Sequence, residues 1–403
     1  MDKYLWILLA ALLLASCSAN DSEEQAGGSA VASAVSFDVT TDDAATRGVI
    51  ANTQAFLTDG RQFRVWAFMK KGTDPEQEMT SDYNSSPLQA VDVTYIAYRN
   101  EWWTYANDGI NPETYYWPRP EFAVNFYAIY PTEYEYNSTQ ILTFNTTDKT
   151  LNYTAPTDPD DAVDVMYAAY HGQRNGEEKP NKRKAAVLKF YHALTQVSFY
   201  GHLSSLLNSL GWHIDVNSIT LCNVPSTGSM QLRTTDDPEN ENPSDVRFTP
   251  NTSTRTNYEF KMNPNLQRLT TYSTPTNTLT GKTLLTSPTD VAMLLPQELT
   301  AWDTSSQLST TEGCYLAVEL RIWDTTSESY ILGTNADDGF VTVYAPFNCG
   351  VTGGWQSGQH YKYILTFNGG YDAQGNPVVK DIEISASITP WTTSSIDGVD
   401  IYR

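Results

Sequence analysis

Leu14-Ala15-Ser16-Cys17 is the stretch of this chain whose residue types and spacing specify a covalent reaction. A cysteine preceded by small residues, closing a short apolar run, is a substrate for a signal peptidase that cuts ahead of the thiol. Cleavage there makes Cys17 the first residue, with its sulfur free to take diacylglycerol and its amine free to take a further acyl chain. Lys3 supplies the positive start, and Tyr4 to Leu14 are too few to span a bilayer as a permanent helix. Each buried methylene adds about 0.8 kcal/mol of membrane affinity, so several chains on one residue hold far more firmly than one. The polar, acidic run from Ser18 to Glu24 then leads away from the lipid.

A second reactive position is Thr46-Arg47-Gly48, between a first strand and the main body of the chain. Arginine followed by glycine in an extended, exposed joint is a substrate for a trypsin-like protease. A cut at Arg47–Gly48 releases residues 17–47 and, with them, the strand around Phe37. Losing a strand leaves unpaired backbone groups and an apolar groove, a template for an extended segment of another molecule.

Other chemistry is poorly served. With 25 basic and 47 acidic residues the net charge is −22, which argues against nucleic acid as a partner. The chain has no GxSxG elbow, HExxH, P-loop or GxGxxG. A pair of catalytic carboxylates cannot be singled out from so many, and the acidic loop Asp158-Pro159-Asp160-Asp161 lacks the ligand spacing of an EF-hand. Cys222, Cys314 and Cys349 show no metal-ligand spacing and read as buried free thiols, with a Cys314–Cys349 bridge as the alternative. His192 sits in a strand-like run and reads as a hydrogen-bonded core histidine. No metal, cofactor or catalytic residue is expected.

The elements that must position these residues are strands. Aromatic residues make up 12 % of the chain, and threonine and serine fill much of the rest, a mixture suited to pleated sheets. Residues 18–34 are small and polar, a tether. Period-two alternation then predicts strands at Val35–Thr40, Phe63–Met69, Val91–Tyr95, Trp102–Tyr105, Ala123–Pro131 and Asp164–Ala168. After a charged connection, His171 to Lys184, it resumes at Val187–Tyr200, Ile214–Val224, Val291–Pro296 and Tyr315–Trp323. Further strands are predicted at Phe340–Ala345, Tyr361–Phe367 and Val378–Ile388, with one helical turn at Leu203–Leu210. The predicted class is all-β, two antiparallel sandwiches in tandem. Their expected bounds are 48–185 and 186–403, preceded by a signal peptide (1–16) and a tether with a removable first strand (17–47).

In order along the chain, these features resemble the fimbrillin family, the Mfa-like lipoprotein pilins that build type V pili on anaerobic Gram-negative bacteria. The resemblance rests on the motif at Cys17, Arg47 before the first full domain, Tyr116-Trp117-Pro118, the strand Val124 to Pro131, and Asp164-Val165-Met166-Tyr167-Ala168. It continues through Leu188 to Val197, Ile219 to Val224 with Gly228, and Leu294-Leu295-Pro296-Gln297. Gly358 with Tyr361 and Tyr363, and the terminal Ile388-Thr389-Pro390-Trp391, complete it.

The resemblance implies transthyretin-like sandwiches and export to the outer membrane as a lipoprotein, with acyl chains such as palmitate on Cys17. It further implies removal of the first strand at Arg47–Gly48 by an arginine-specific protease, then assembly with other pilus subunits by donor-strand exchange into a fimbrium that mediates cell adhesion. After Trp391 the apolar residues available to a donor strand are Ile396, Val399 and Ile401, fewer than the tail of a stalk subunit carries, which points to a tip or accessory adhesin. The competing reading is a surface glycan-binding lipoprotein that does not polymerise, using exposed aromatics such as Trp102, Trp103 and Trp117 to stack on sugars. The ligand on a host or bacterial surface is left open by the sequence.

Overall fold

A computed structural model of the chain describes residues 34–41, 56–96, 102–104, 114–173, 185–233, 247–308, 311–371 and 377–390, apart from short stretches inside these ranges. The first strands are β1 (Phe37–Thr41), β2 (Gln62–Lys70), β3 (Gln77–Glu78), β4 (Val91–Ile96), β5 (Trp102–Thr104) and β6 (Ala123–Tyr130). They are followed by β7 (Glu135–Tyr136), β8 (Thr139–Gln140), β9 (Leu142–Asn145), β10 (Thr150–Thr154), β11 (Met166–Gln173) and β12 (Ala186–His192). After β13 (Thr195–Leu203) comes the short helix α1 (Ser205–Leu210), then β14 (Trp212–Pro225), β15 (Thr227–Gln231), β16 (Thr249–Pro250), β17 (Arg255–Glu259) and β18 (Thr283–Leu284). The last are β19 (Ala292–Leu294), β20 (Tyr315–Asp324), β21 (Ser329–Leu332), β22 (Val341–Pro346), β23 (Gln359–Tyr371) and β24 (Pro377–Pro390). The chain is thus almost wholly β, as its alternation predicts.

An eight-stranded sheet runs β1-β12-β11-β6-β2-β4-β5, with β3 beside β2. Its central strand β2 is buried on both faces. Phe63, Val65, Ala67 and Met69 enter one core with Phe126, Leu188 and Phe190, while Trp66 and Phe68 enter another with Tyr127 and Ile129. The second face is covered by the four-stranded sheet β16-β15-β10-β9, through Leu142, Leu151, Tyr153 and Met230. Two five-stranded sheets make the C-terminal sandwich. They are β18-β13-β23-β24 with β19, and β17-β14-β20-β21 with β22. Their alternate residues, Phe199, Tyr363 and Phe367 from one and Leu221, Val318 and Leu320 from the other, fill the space between.

Most ladders are antiparallel, but β1 pairs β12 and β13 pairs β23 in parallel. Alternation reports which side chains face a core and not the direction of the neighbour, so these two pairs leave no trace in the pattern. Val187 to Tyr200 reads as one strand for the same reason. The structure divides it at Ala193 and Leu194 into β12 and β13, which belong to different sheets. The change of sheet therefore follows His192, since β12 pairs with β11 and β1. The halves are further joined by β10 and β15, which pair from Thr150↔Gln231 to Thr154↔Thr227.

The predicted helical turn is α1. Ser204 caps it, its hydroxyl accepting from the Leu207 amide at 3.3 Å, and Gly211 ends it at φ 72°. A side chain at Gly211 would collide with Thr325 Oγ1, 2.6 Å from where a Cβ would stand. Glycine therefore serves both the left-handed cap and the close approach.

Candidate functional site

β1 lies at the edge of the eight-stranded sheet, with β12 as its ladder partner. Its register runs from Phe37↔Ala186 to Thr41↔Phe190. At its start the Ala186 amide donates to the Ser36 carbonyl, and the Val35 amide donates to the Tyr115 carbonyl, each at 2.8 Å. The alternation of Val35, Phe37 and Val39 puts all three into the core, at 3 %, 9 % and 5 % exposure. Phe37 meets the edges of Phe63 and Phe126, with ring centres 5.7 and 5.9 Å away.

Beneath β1 the floor is apolar. In the same buried cluster as Phe37, Phe63, Phe126, Leu188 and Phe190 come from β2, β6 and β12, and Phe56, Met79, Leu88 and Tyr115 from connecting segments. β12 presents the same alternation to the groove, with Ala186, Leu188 and Phe190 fully buried and Val187 43 % exposed on the other face. Burying the three apolar side chains of residues 35–39 contributes about 2 kcal/mol each.

Of the residues singled out in the sequence, Cys17, Arg47, Gly48, Ile396, Val399 and Ile401 lie outside the described residues. Phe37 is placed in the edge strand as its alternation predicts. Trp117 is half-buried and packs its ring on the edge of Phe126 at 5.4 Å, so it belongs to the core rather than to a sugar platform. Trp102 and Trp103 are on β5, their side chains outside the described part. His192 is a core histidine, its Nδ1 2.8 Å from Asp164 Oδ1. Cys222, Cys314 and Cys349 are buried free thiols, and burial first of all pushes Cys314 up to about 11 and Cys349 up to about 12. Among the described residues no group of His, Cys, Asp or Glu could hold a metal ion, and no helix is long and apolar enough to cross a membrane.

Sequence reasoning missed most of the groove floor. Phe56, Met79, Leu88 and Tyr115 stand in connections without a regular period, and no local signal marks them as members of the core that takes in Phe37.

An all-β body of packed sheets, with a short strand near the N-terminus at the edge of one of them, is the fold of a β-sandwich protein. The chain belongs to the fimbrillin-like family, whose profile matches residues 46–391. Among solved structures, a fimbrial protein from Bacteroides vulgatus is 16 % identical at a TM-score of 0.49, covering 89 % of this chain and 99 % of its own. A fimbrilin from Porphyromonas gingivalis is 11 % identical at 0.41, covering 90 % and 98 %. The tip fimbrial protein Mfa3 of that organism, with a C-terminal truncation, is 10 % identical at 0.36, covering 89 % and 99 %. No curated protein matches.

Proposed function

We propose that this chain is a subunit of a type V pilus, at its tip or as an accessory adhesin, acting without an active site and assembled by strand exchange after a protease removes β1. The observation that carries the reading is β1 itself. It is a short edge strand that fills an apolar groove, and the segment that follows it carries Arg47–Gly48. Acylation at Cys17 would hold the precursor at the outer membrane on the side of the chain that the cut discards. Release of β1 would open the edge of β12 and uncover Phe63, Phe126, Leu188 and Phe190. An extended strand from another subunit restores both the ladder and the alternating side chains. Were the tail of an accessory subunit to donate as well, Ile396, Val399 and Ile401 would be the residues it offers a neighbour.

Limited trypsin digestion of the purified full chain tests this, with the new N-terminus sequenced and the product sized. The expected outcome is a first cut after Arg47, followed by species larger than the monomer. Resistance at Arg47, or a clean cut that leaves β1 bound and the protein monomeric, would sink the strand-exchange reading. A chain ending at Trp391 separates the two ends of the mechanism. As a tip subunit it should accept a strand as well as the full chain does.

A further inference from the structure

β17, β14 and β20, neighbours in one sheet, form the floor of an open cavity of about 350 Å³ lined by Asn223, Arg255, Thr256, Asn257 and Tyr315. That volume is at the lower end of small-molecule sites, room for one sugar-sized ring. A bulge shapes it. The pairing of β14 with β17 slips between Leu221 and Val224, and Asn223, inside the slip, takes the left-handed φ of 66°. Bulges re-aim side chains out of the strand's alternation, and asparagine tolerates this backbone better than most residues.

Asn223 is held on several sides. Its Nδ2 donates to the Gly313 carbonyl at 2.8 Å, and its backbone amide donates to Asn257 Oδ1 at 2.9 Å. Its own carbonyl accepts from Arg255 Nη1 at 2.8 Å. Yet the residue is only 2 % exposed, and its Oδ1 has no hydrogen-bond partner among the described residues. A buried acceptor left in this way is costly, and because Asn223 lines the cavity, a donor seated there is the partner it lacks.

Arg255 is the cation of the lining. Backbone carbonyls of Thr252 and Asn223 hold it through Nε and Nη1, and among the described residues no carboxylate pairs with it. The chain is otherwise strongly acidic, at −22, so an uncompensated arginine in a cavity wall is a local exception. Tyr315 supplies an aromatic ring, continued by Tyr344 at 5.9 Å and Trp302 at 6.1 Å, and Tyr344 is 48 % exposed.

These features together select a ligand. Sulfate or chloride brings no donor and would leave Asn223 Oδ1 unmet, and phosphate offers a hydroxyl but no C–H face for Tyr315. A neutral sugar would satisfy Asn223 and leave Arg255 facing no charge. A pyranose bearing a carboxylate answers both. Its hydroxyls donate to Asn223 and meet Asn257 and Thr256, its carboxylate meets the guanidinium, and its C–H face lies on Tyr315. We infer that this cavity is a binding site for an acidic sugar residue of the uronic acid class, such as a surface polysaccharide displays. The inference rests on the adhesive half of the reading above and not on strand exchange, so it is tested on the uncleaved monomer.

The experiment is a calorimetric titration of the full chain with glucuronic acid and, separately, with glucose, which lacks the carboxylate. Saturable binding of glucuronate with Kd of about 1 mM is expected. Glucose should bind about tenfold more weakly, the share of one charge-assisted contact. Arg255→Gln should lower glucuronate to the level of glucose, and Asn257→Ala should weaken both. If Arg255→Gln fails to fold, the two sugars on the unaltered chain decide. Glucuronate binding no tighter than glucose, or no saturation by about 50 mM, overturns the assignment. So does a folded Arg255→Gln that binds glucuronate as well as the parent does. A failure of trypsin to produce multimers would count against strand exchange alone and leave these titrations unaffected.

Discussion

Phe37 carries the largest part of what β1 gives to the core, because its ring alone among the β1 side chains meets two other rings, Phe63 and Phe126. Phe37→Ala should lower the unfolding free energy by about 3 kcal/mol in urea titration. A loss below about 1 kcal/mol would mean that β1 is already loose in the uncleaved chain. Acid should act through two other residues. His360 is enclosed beside Ser198 Oγ at 2.9 Å, and burial first, then Lys362, pushes its pKa down to about 3. The folded imidazole stays neutral while the unfolded one takes a proton below about 6.5. Stability is therefore full above that pH and falls as the pH drops toward the folded value. His360→Gln should flatten this limb in melts taken at intervals from pH 7 to 4.

For Asp215, burial pushes the carboxyl up, but hydrogen bonds from Arg268, Arg321 and Tyr330 outweigh it and hold the pKa below the usual value. Its contribution is likewise present above the ordinary aspartate range and lost as the pH falls through it. Asp215→Ala leaves two arginines without their carboxylate and should cost about 2 kcal/mol, less than a fully buried pair because Arg268 is partly in water. Little of this was legible. Asp215 and His360 look like any strand residues until the partners from distant strands are known.

At the scale of elements, the strands were the most legible part. β2, β4, β6, β14 and β20 fall within a residue or two of their predicted bounds, since each alternates long enough for the period to show. β9, β10 and β15 were not foreseen, because runs as short as Leu142–Asn145 and Thr227–Gln231 lie among turn residues and carry little period of their own. β12 has the alternation of an edge-pairing strand, and its two faces should respond differently. Leu188→Ala, on the buried face, should cost about 3 kcal/mol, whereas Val187→Lys should change stability by less than about 0.5. Equal effects at the two positions would contradict the placement of β12 over the groove.

For the whole molecule, the pairing of β10 with β15 decides how the halves behave. One core runs from Trp66 and Tyr153 through Met230 to Phe367, so the two halves share a buried interior as well as a sheet. Leu151→Ala, fully buried opposite Met230, should destabilise by about 3 kcal/mol. In calorimetry it should move a single transition and leave no second one behind. Two transitions, only one of them shifted, would show that the halves unfold separately. From its sequence alone this protein is an all-β chain with the greater part of its strands in place, because side-chain alternation is a local property that water reads in the same way along every strand. Tertiary structure alone decided which strand lies beside which: β1 parallel to β12, β12 and β13 parted into different sheets, β10 bound to β15, and Asn223 turned into a cavity with Arg255. The physical reason is that backbone ladders are chemically alike in every pairing. Neighbours are chosen by how distant apolar faces fit when packed together, and that choice leaves no mark within a single strand.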